Sequence, residues 1–114
     1  KEIDILVAMS APAIDKFEAN LRPGGYLFVN SSLVTDRKYR DDINVVEVDT
    51  TALAEEAKNP KGANIVMIGA LIKRTGIMTF EGCSDAIEKY FTEHGKAKFN
   101  EANQAALKIG YNKF

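Results

Sequence analysis

Three apolar runs in this chain, 3–9, 26–29 and 45–48, each end in small residues that carry a hydroxyl, an amide or a carboxylate: Ser10; Asn30, Ser31 and Ser32; Asp49, Thr50 and Thr51. The hydroxyls and amides donate and accept hydrogen bonds and the carboxylate accepts them, none titrating near neutral pH, so together they suit the holding of a polar ligand. If the runs are parallel strands, their carboxyl ends lie side by side and these residues share one rim, where open α/β sheets bind ligands. The same residue types also cap the helix or turn that follows a strand, and that reading stays open for each of them. Asn64, in the first turn of a later helix, faces the same choice between capping and pointing into a crevice.

Residues able to do acid–base, nucleophilic or metal chemistry are sparse. The one cysteine, Cys83, and the one histidine, His94, are eleven positions apart on a single expected helix, which separates them by about 16 Å of helical rise. A lone cysteine among apolar helix residues reads as packing, and a histidine next to Gly95 at a helix end reads as a favourable C-terminal charge. The acidic residues show no helical pairing with histidine that would suggest a metal site, and one cysteine cannot ligate zinc or an iron–sulfur cluster alone. No dinucleotide or Walker-type glycine motif occurs; the glycine pair in "RPGGYLFVNSS" precedes a strand and reads as a turn. No catalytic and no metal residue is assigned.

The elements that must position the rim follow from the pattern. "IDILVAMS" is a β-branched, mostly apolar run of the kind found in strands covered on both faces. "APAIDKFEANL" reads as a helix with Pro12 in its first turn and Ala13, Phe17 and Leu21 on one stripe, stopped by "RPGG". "YLFVNSS" and "VVEVD" are the second and third strands, separated by the charged loop "TDRKYRDDIN". A short helix capped by Thr50 or Thr51 runs to Asn59-Pro60.

Everything beyond is helical: Ala63 to about Thr75, a helix capped by Ser84 with Ile87, Tyr90 and Phe91 as its apolar face, and a last helix through the closing residues. The helix from Ala63 is apolar around its circumference. It must be enclosed on all sides or lie against another chain, with Gly69 and Ala70 permitting close backbone approach. The expected class is α/β: a Rossmann-like parallel sheet with flanking helices and a helical C-terminal part.

Bulk properties narrow the function classes. The 114 residues suit one domain. Lysine plus arginine (15) nearly balance aspartate plus glutamate (16), so there is no basic stripe for nucleic acid. No apolar run approaches the length of a membrane span, and a single cysteine fits a reducing cytoplasm.

Four blocks in order, "DILVAMSAPAIDKF", "PGGYLFVNSSLV", "ANIVMIGALIKRTGI" and "NEANQAALKIGY", together resemble the gamma subunit or gamma domain of the 2-oxoacid:ferredoxin (acceptor) oxidoreductases. The likeness spans about Asp4 to Tyr111, and "VAMS" followed by "PA" is closest to the 2-oxoglutarate and branched-chain types. Family members begin with a strand and a G-x-G-G-Q-G-type turn. Lacking these, the chain is expected to be a single, partial gamma domain over 1–114.

The resemblance implies a share in oxidative decarboxylation of a 2-oxoacid to an acyl-CoA. Thiamine diphosphate, Mg and iron–sulfur clusters belong to alpha, beta and delta partners, coenzyme A is the co-substrate and ferredoxin the acceptor reached through the complex; no cofactor is bound by this chain alone. Matching the "AMS", "NSS" and "AN" blocks, Ser10, Asn30, Ser31, Ser32 and Asn64 are the residues expected to line a crevice toward substrate or partner. Two other readings stand beside this one: a stand-alone module binding a nucleotide or carboxylate at the rim, and a self-associating scaffold, for which a homodimer is the simplest form.

Overall fold

The computed structural model describes residues 2–114, which form two compact units, 2–49 and 50–114. The first holds β1 (Ile3–Ala8), α1 (Ala11–Phe17), β2 (Leu21–Asn30) and β3 (Asn44–Val48). Its sheet is open and parallel, in the order β1-β2-β3.

Alternation along the strands sorts their side chains onto two faces. Leu6 pairs with Leu27, and Ala8 with Val29; on this face Ala8, Leu27 and Val29 pack with Ile14 of α1, Leu21 and Val34 in one buried cluster. Val7, Phe28 and Val46 are in register on the other face, where Phe28 is fully buried.

The sheet corrects two expectations. Leu21 is the first residue of β2 and not the end of a helical stripe, because α1 stops at Phe17 and a single 3-10 turn follows. "RPGG" is likewise no helix-stopping turn but a bulge within β2, which spends five residues from Leu21 to Tyr26 where β1 spends two from Ile3 to Ile5. Glycine is needed at both of its last positions. Gly24 has φ +82°, and a Cβ on Gly25 would meet the Asp4 carbonyl oxygen at 2.8 Å.

Arg40 ties the long β2–β3 connection back to this bulge. Its Nη1 donates to the Glu18 and Leu21 carbonyls at 2.9 and 2.7 Å, while Nε and Nη2 grip the Asp42 carboxylate at 2.9 and 2.8 Å. That fork holds the Asp42 carboxyl below its usual range.

The second unit is all helical: α2 (Thr50–Glu56), α3 (Ala63–Thr75), α4 (Phe80–Glu93) and α5 (Asn100–Lys113). α2 starts at Thr50 itself, one residue earlier than a threonine cap there allows. α4 starts four residues before Ser84, and its cap is Thr79, whose Oγ accepts the Gly82 N–H at 2.9 Å. Ser84 instead joins α4 to α5: its Oγ donates to Gln104 Oε1 at 2.5 Å, and Gln104 Nε2 returns a bond to the Ser84 carbonyl at 3.0 Å.

The apolar helix α3 is enclosed by its own unit over most of its circumference. Ile65, Val66, Met67, Gly69, Ala70 and Ile72 are buried, and α2, α4 and α5 all pack on it. α3 meets α5 at a glycine pair: a Cβ on Gly69 would strike the Leu107 carbonyl and the Tyr111 N, and one on Gly110 would strike the Val66 carbonyl. Ile68 is the exception, left 37% exposed.

Candidate functional site

The strand-end rim exists within the first unit. Because β1, β2 and β3 are parallel and adjacent, their carboxyl ends deliver Met9 and Ser10, Asn30 to Ser32, and Asp49 to the same edge. Asn30 is the keystone. Only 4% exposed, it donates from Nδ2 to the Met9 carbonyl at 3.4 Å and accepts the Ser32 N–H on Oδ1 at 3.1 Å, so one side chain spans the ends of β1 and β2.

Ser31 extends the β2–β3 ladder by donating its N–H to the Val48 carbonyl at 2.9 Å. The Ser32 hydroxyl donates to Asp49 Oδ1 at 2.7 Å, which brings the third strand end into the network. Ser10 stands in extended backbone just before α1, is exposed, and makes no side-chain cap bond.

Asn30→Ala removes the side-chain bonds to Met9 and Ser32 and leaves a carbonyl and an N–H to find other partners. We expect a loss of about 1–3 kcal/mol in urea denaturation, the usual cost of unsatisfied buried groups. A loss below experimental error would mean that the rim is not tied together through this amide.

Asn64 lies in the second unit, exposed in the first turn of α3, where it borders two surface depressions. One is lined by Asn59, Lys61, Lys96 and Asn103, together with Phe91 and Phe99. The other is an apolar groove between α3 and α4, lined by Ile68, Met78, Cys83, Ile87 and Tyr90. The apolar face of α4 was legible in its helical spacing. Lys61, Lys96 and Asn103 gave no signal, because their proximity depends on how α3 and α5 pack.

Cys83 is buried at 4% exposure, and burial pushes its thiol above the ordinary pKa. The neutral thiol is a poor nucleophile. Native protein should therefore react with Ellman's reagent at least about 100-fold more slowly than unfolded protein; equal rates would place Cys83 at the surface. His94 sits at the C-cap of α4, with Nδ1 2.7 Å from the Tyr90 carbonyl and its ring stacked on Tyr90 at 4.1 Å. Among the described residues, no group of three or more His, Cys, Asp or Glu side chains is placed to hold a metal, and no helix is long and apolar enough to cross a membrane.

An open parallel sheet with a polar strand-end rim, followed in the chain by a helical unit with an apolar surface groove, defines an α/β protein. Residues 1–113 match the family model described as pyruvate ferredoxin/flavodoxin oxidoreductase, and the chain belongs to that family.

The chain is 36% identical, over 95% of its length, to the 2-oxoglutarate synthase subunit KorC of Methanocaldococcus jannaschii, and it covers 57% of that protein. It is 29% identical over 94% of its length to the ketoisovalerate oxidoreductase subunit VorA of Methanothermobacter marburgensis, covering 22% of it. Among solved structures, the gamma subunit of keto/oxoacid ferredoxin oxidoreductase from Geobacter sulfurreducens PCA superposes with a TM-score of 0.82 at 31% identity, over 96% of this chain and 63% of that one. The chain thus spans a little over half the length of the KorC relative.

Proposed function

We propose that the chain is a gamma-type part of a 2-oxoacid:ferredoxin oxidoreductase, acting within an assembly that oxidatively decarboxylates a 2-oxoacid to its acyl-CoA. The substrate we favour is 2-oxoglutarate. The observation that carries this reading is the 36% identity to a 2-oxoglutarate synthase subunit across nearly the whole chain. Likeness to a ketoisovalerate enzyme subunit keeps branched-chain 2-oxoacids as the next candidate.

The side chains support a non-autonomous role. The proposed contacts at the rim are hydroxyls and amides, which can hold a polar group but do not titrate near neutral pH, and a single buried thiol cannot supply the ligands of a cluster. Iron–sulfur clusters do not fit this chain's residues, and we assign them, with thiamine diphosphate and Mg, to companion alpha, beta and delta subunits. Ser10, Asn30, Ser31 and Ser32 are then contacts for substrate or partner at the strand ends, and Asn64 is a contact on the helical unit.

Substrate choice is tested by purifying the assembly that contains this chain and measuring CoA-dependent ferredoxin reduction with 2-oxoglutarate, 2-oxoisovalerate and pyruvate. The highest kcat/KM is expected with 2-oxoglutarate. A preference for either other acid overturns that assignment while leaving the class of reaction in place.

A further inference from the structure

The two depressions on the helical unit adjoin, sharing Asn64, Ile65 and Phe91 as a common wall. Together they make one trough with unlike ends, about 430 Å³ at the polar end and about 470 Å³ at the apolar end. The polar end carries the two cationic side chains Lys61 and Lys96 and no carboxylate. Its inner wall holds a further anomaly, Asn103, which is only 7% exposed.

Asn103 Oδ1 accepts from Asn59 Nδ2 at 3.4 Å, while its own Nδ2 is buried without a hydrogen-bond partner. Buried donors are nearly always satisfied, and this one belongs to the same lining as Lys61 and Lys96. Two cations with no carboxylate in the lining favour an acidic group on whatever docks there.

The apolar end has a different demand. Ile68, Met78 and Tyr90 are 37%, 43% and 56% exposed, so this is an open surface and not a closed cavity. Exposed apolar side chains gathered along one groove are characteristic of contact with another polypeptide. A small ligand would leave these side chains wet, whereas an amphipathic segment would cover them.

We infer that the trough receives an amphipathic segment of a companion subunit, which sets an aspartate or glutamate carboxylate against Lys61 and Lys96 and lays apolar side chains along Ile68, Met78 and Ile87. This rests on the reading of the chain as part of a multi-subunit oxidoreductase. It adds where the partner docks and what chemistry the docking segment carries.

The test uses the intact assembly. A zero-length carbodiimide joins a lysine Nζ to a carboxylate without a spacer, so only groups that come into direct contact are linked, and mass spectrometry reads the linked peptides. The expected product links Lys61 or Lys96 to an acidic residue of a companion subunit, within a segment whose apolar residues recur at helical spacing. Replacing both lysines, Lys61→Gln with Lys96→Gln, should weaken association about five-fold or more, as loss of interfacial charge pairs does. The melting temperature of the isolated chain should not change, because both lysines are exposed.

An assembly that forms while Lys61 and Lys96 stay as open to acetylation as in the isolated chain, with no link to a companion, overturns the inference and leaves the subunit reading intact. Failure of any assembly to form removes the subunit reading and the inference with it. A fatty carboxylate found seated on the isolated chain by native mass spectrometry would assign the trough to a small amphiphile and also overturn the proposal.

Discussion

Gly110→Ala is expected to destabilise the protein by about 2–3 kcal/mol, the cost of overpacking a tight contact. Intrinsic propensity alone points the other way, since alanine in a helix is favoured over glycine by about 0.5–1 kcal/mol. The clash wins because of what the new methyl would meet. Its nearest neighbours are the carbonyl oxygen, carbonyl carbon and Cα of Val66, the last two at 2.9 and 3.1 Å, and all three are helix backbone with no rotamer to change.

To accept the methyl, α5 has to move away from α3 along the stripe where Asn103, Ala106, Leu107 and Gly110 are buried. Urea denaturation is the check, with Lys108→Ala on the exposed side of the same helix as the control. A Gly110→Ala variant as stable as the parent would show that the two backbones are not in contact.

A loss of about 3–5 kcal/mol is expected for Phe28→Ala, the usual cost of deleting a fully buried aromatic side chain. Phe28 occupies the middle strand, between Val7 of β1 and Val46 of β3 on the same face, and stacks on Tyr26 at 5.9 Å. Its neighbours belong to hydrogen-bonded strands and cannot collapse into the space, so transfer and cavity costs both apply.

The substitution also bears on the site, because Phe28 lies two residues before Asn30 on the same strand. Loosened packing there should free the rim. Amide exchange at Ser31, whose N–H bonds to the Val48 carbonyl, is expected to speed up together with global unfolding. A Phe28→Ala loss below about 1 kcal/mol would mean that the Phe28 ring is not enclosed as its lack of exposure indicates.

Much of this architecture was legible because the deciding interactions are local. Short, mostly apolar runs placed β1, the end of β2 and β3, and a continuous apolar stretch after Gly62 placed α3 at Ala63–Thr75. That Gly69 would permit close approach followed from residue type alone. That its partner is Gly110, 41 positions later, did not. The all-round apolar character of α3 is explained chiefly by enclosure within the helical unit, and of its large apolar side chains only Ile68 remains substantially exposed.

Where expectation failed, the cause was non-local or chemically degenerate. "RPGG" carries the residues most averse to strands, yet it enters β2 because the pairing register on either side forces a bulge that only glycine can make. Thr79 and Ser84 are equally good caps by type. Gly82, which looks like a helix breaker, is the residue whose N–H the Thr79 cap accepts. Of the rim, the alignment of strand ends was visible in sequence, but the bridging role of Asn30 was not, since Met9 lies 21 positions away. Asn103 could not be singled out, because its orientation is set by Asn59, 44 residues earlier.

The central claim is that this chain contributes to 2-oxoacid oxidation only inside an assembly. It is tested most directly by comparing CoA- and 2-oxoglutarate-dependent ferredoxin reduction by the isolated chain, by the companion subunits without it, and by the chain and its companions together. Turnover is predicted for the reconstituted assembly alone. Activity in the isolated chain, or full activity of the companions in its absence, would contradict the account.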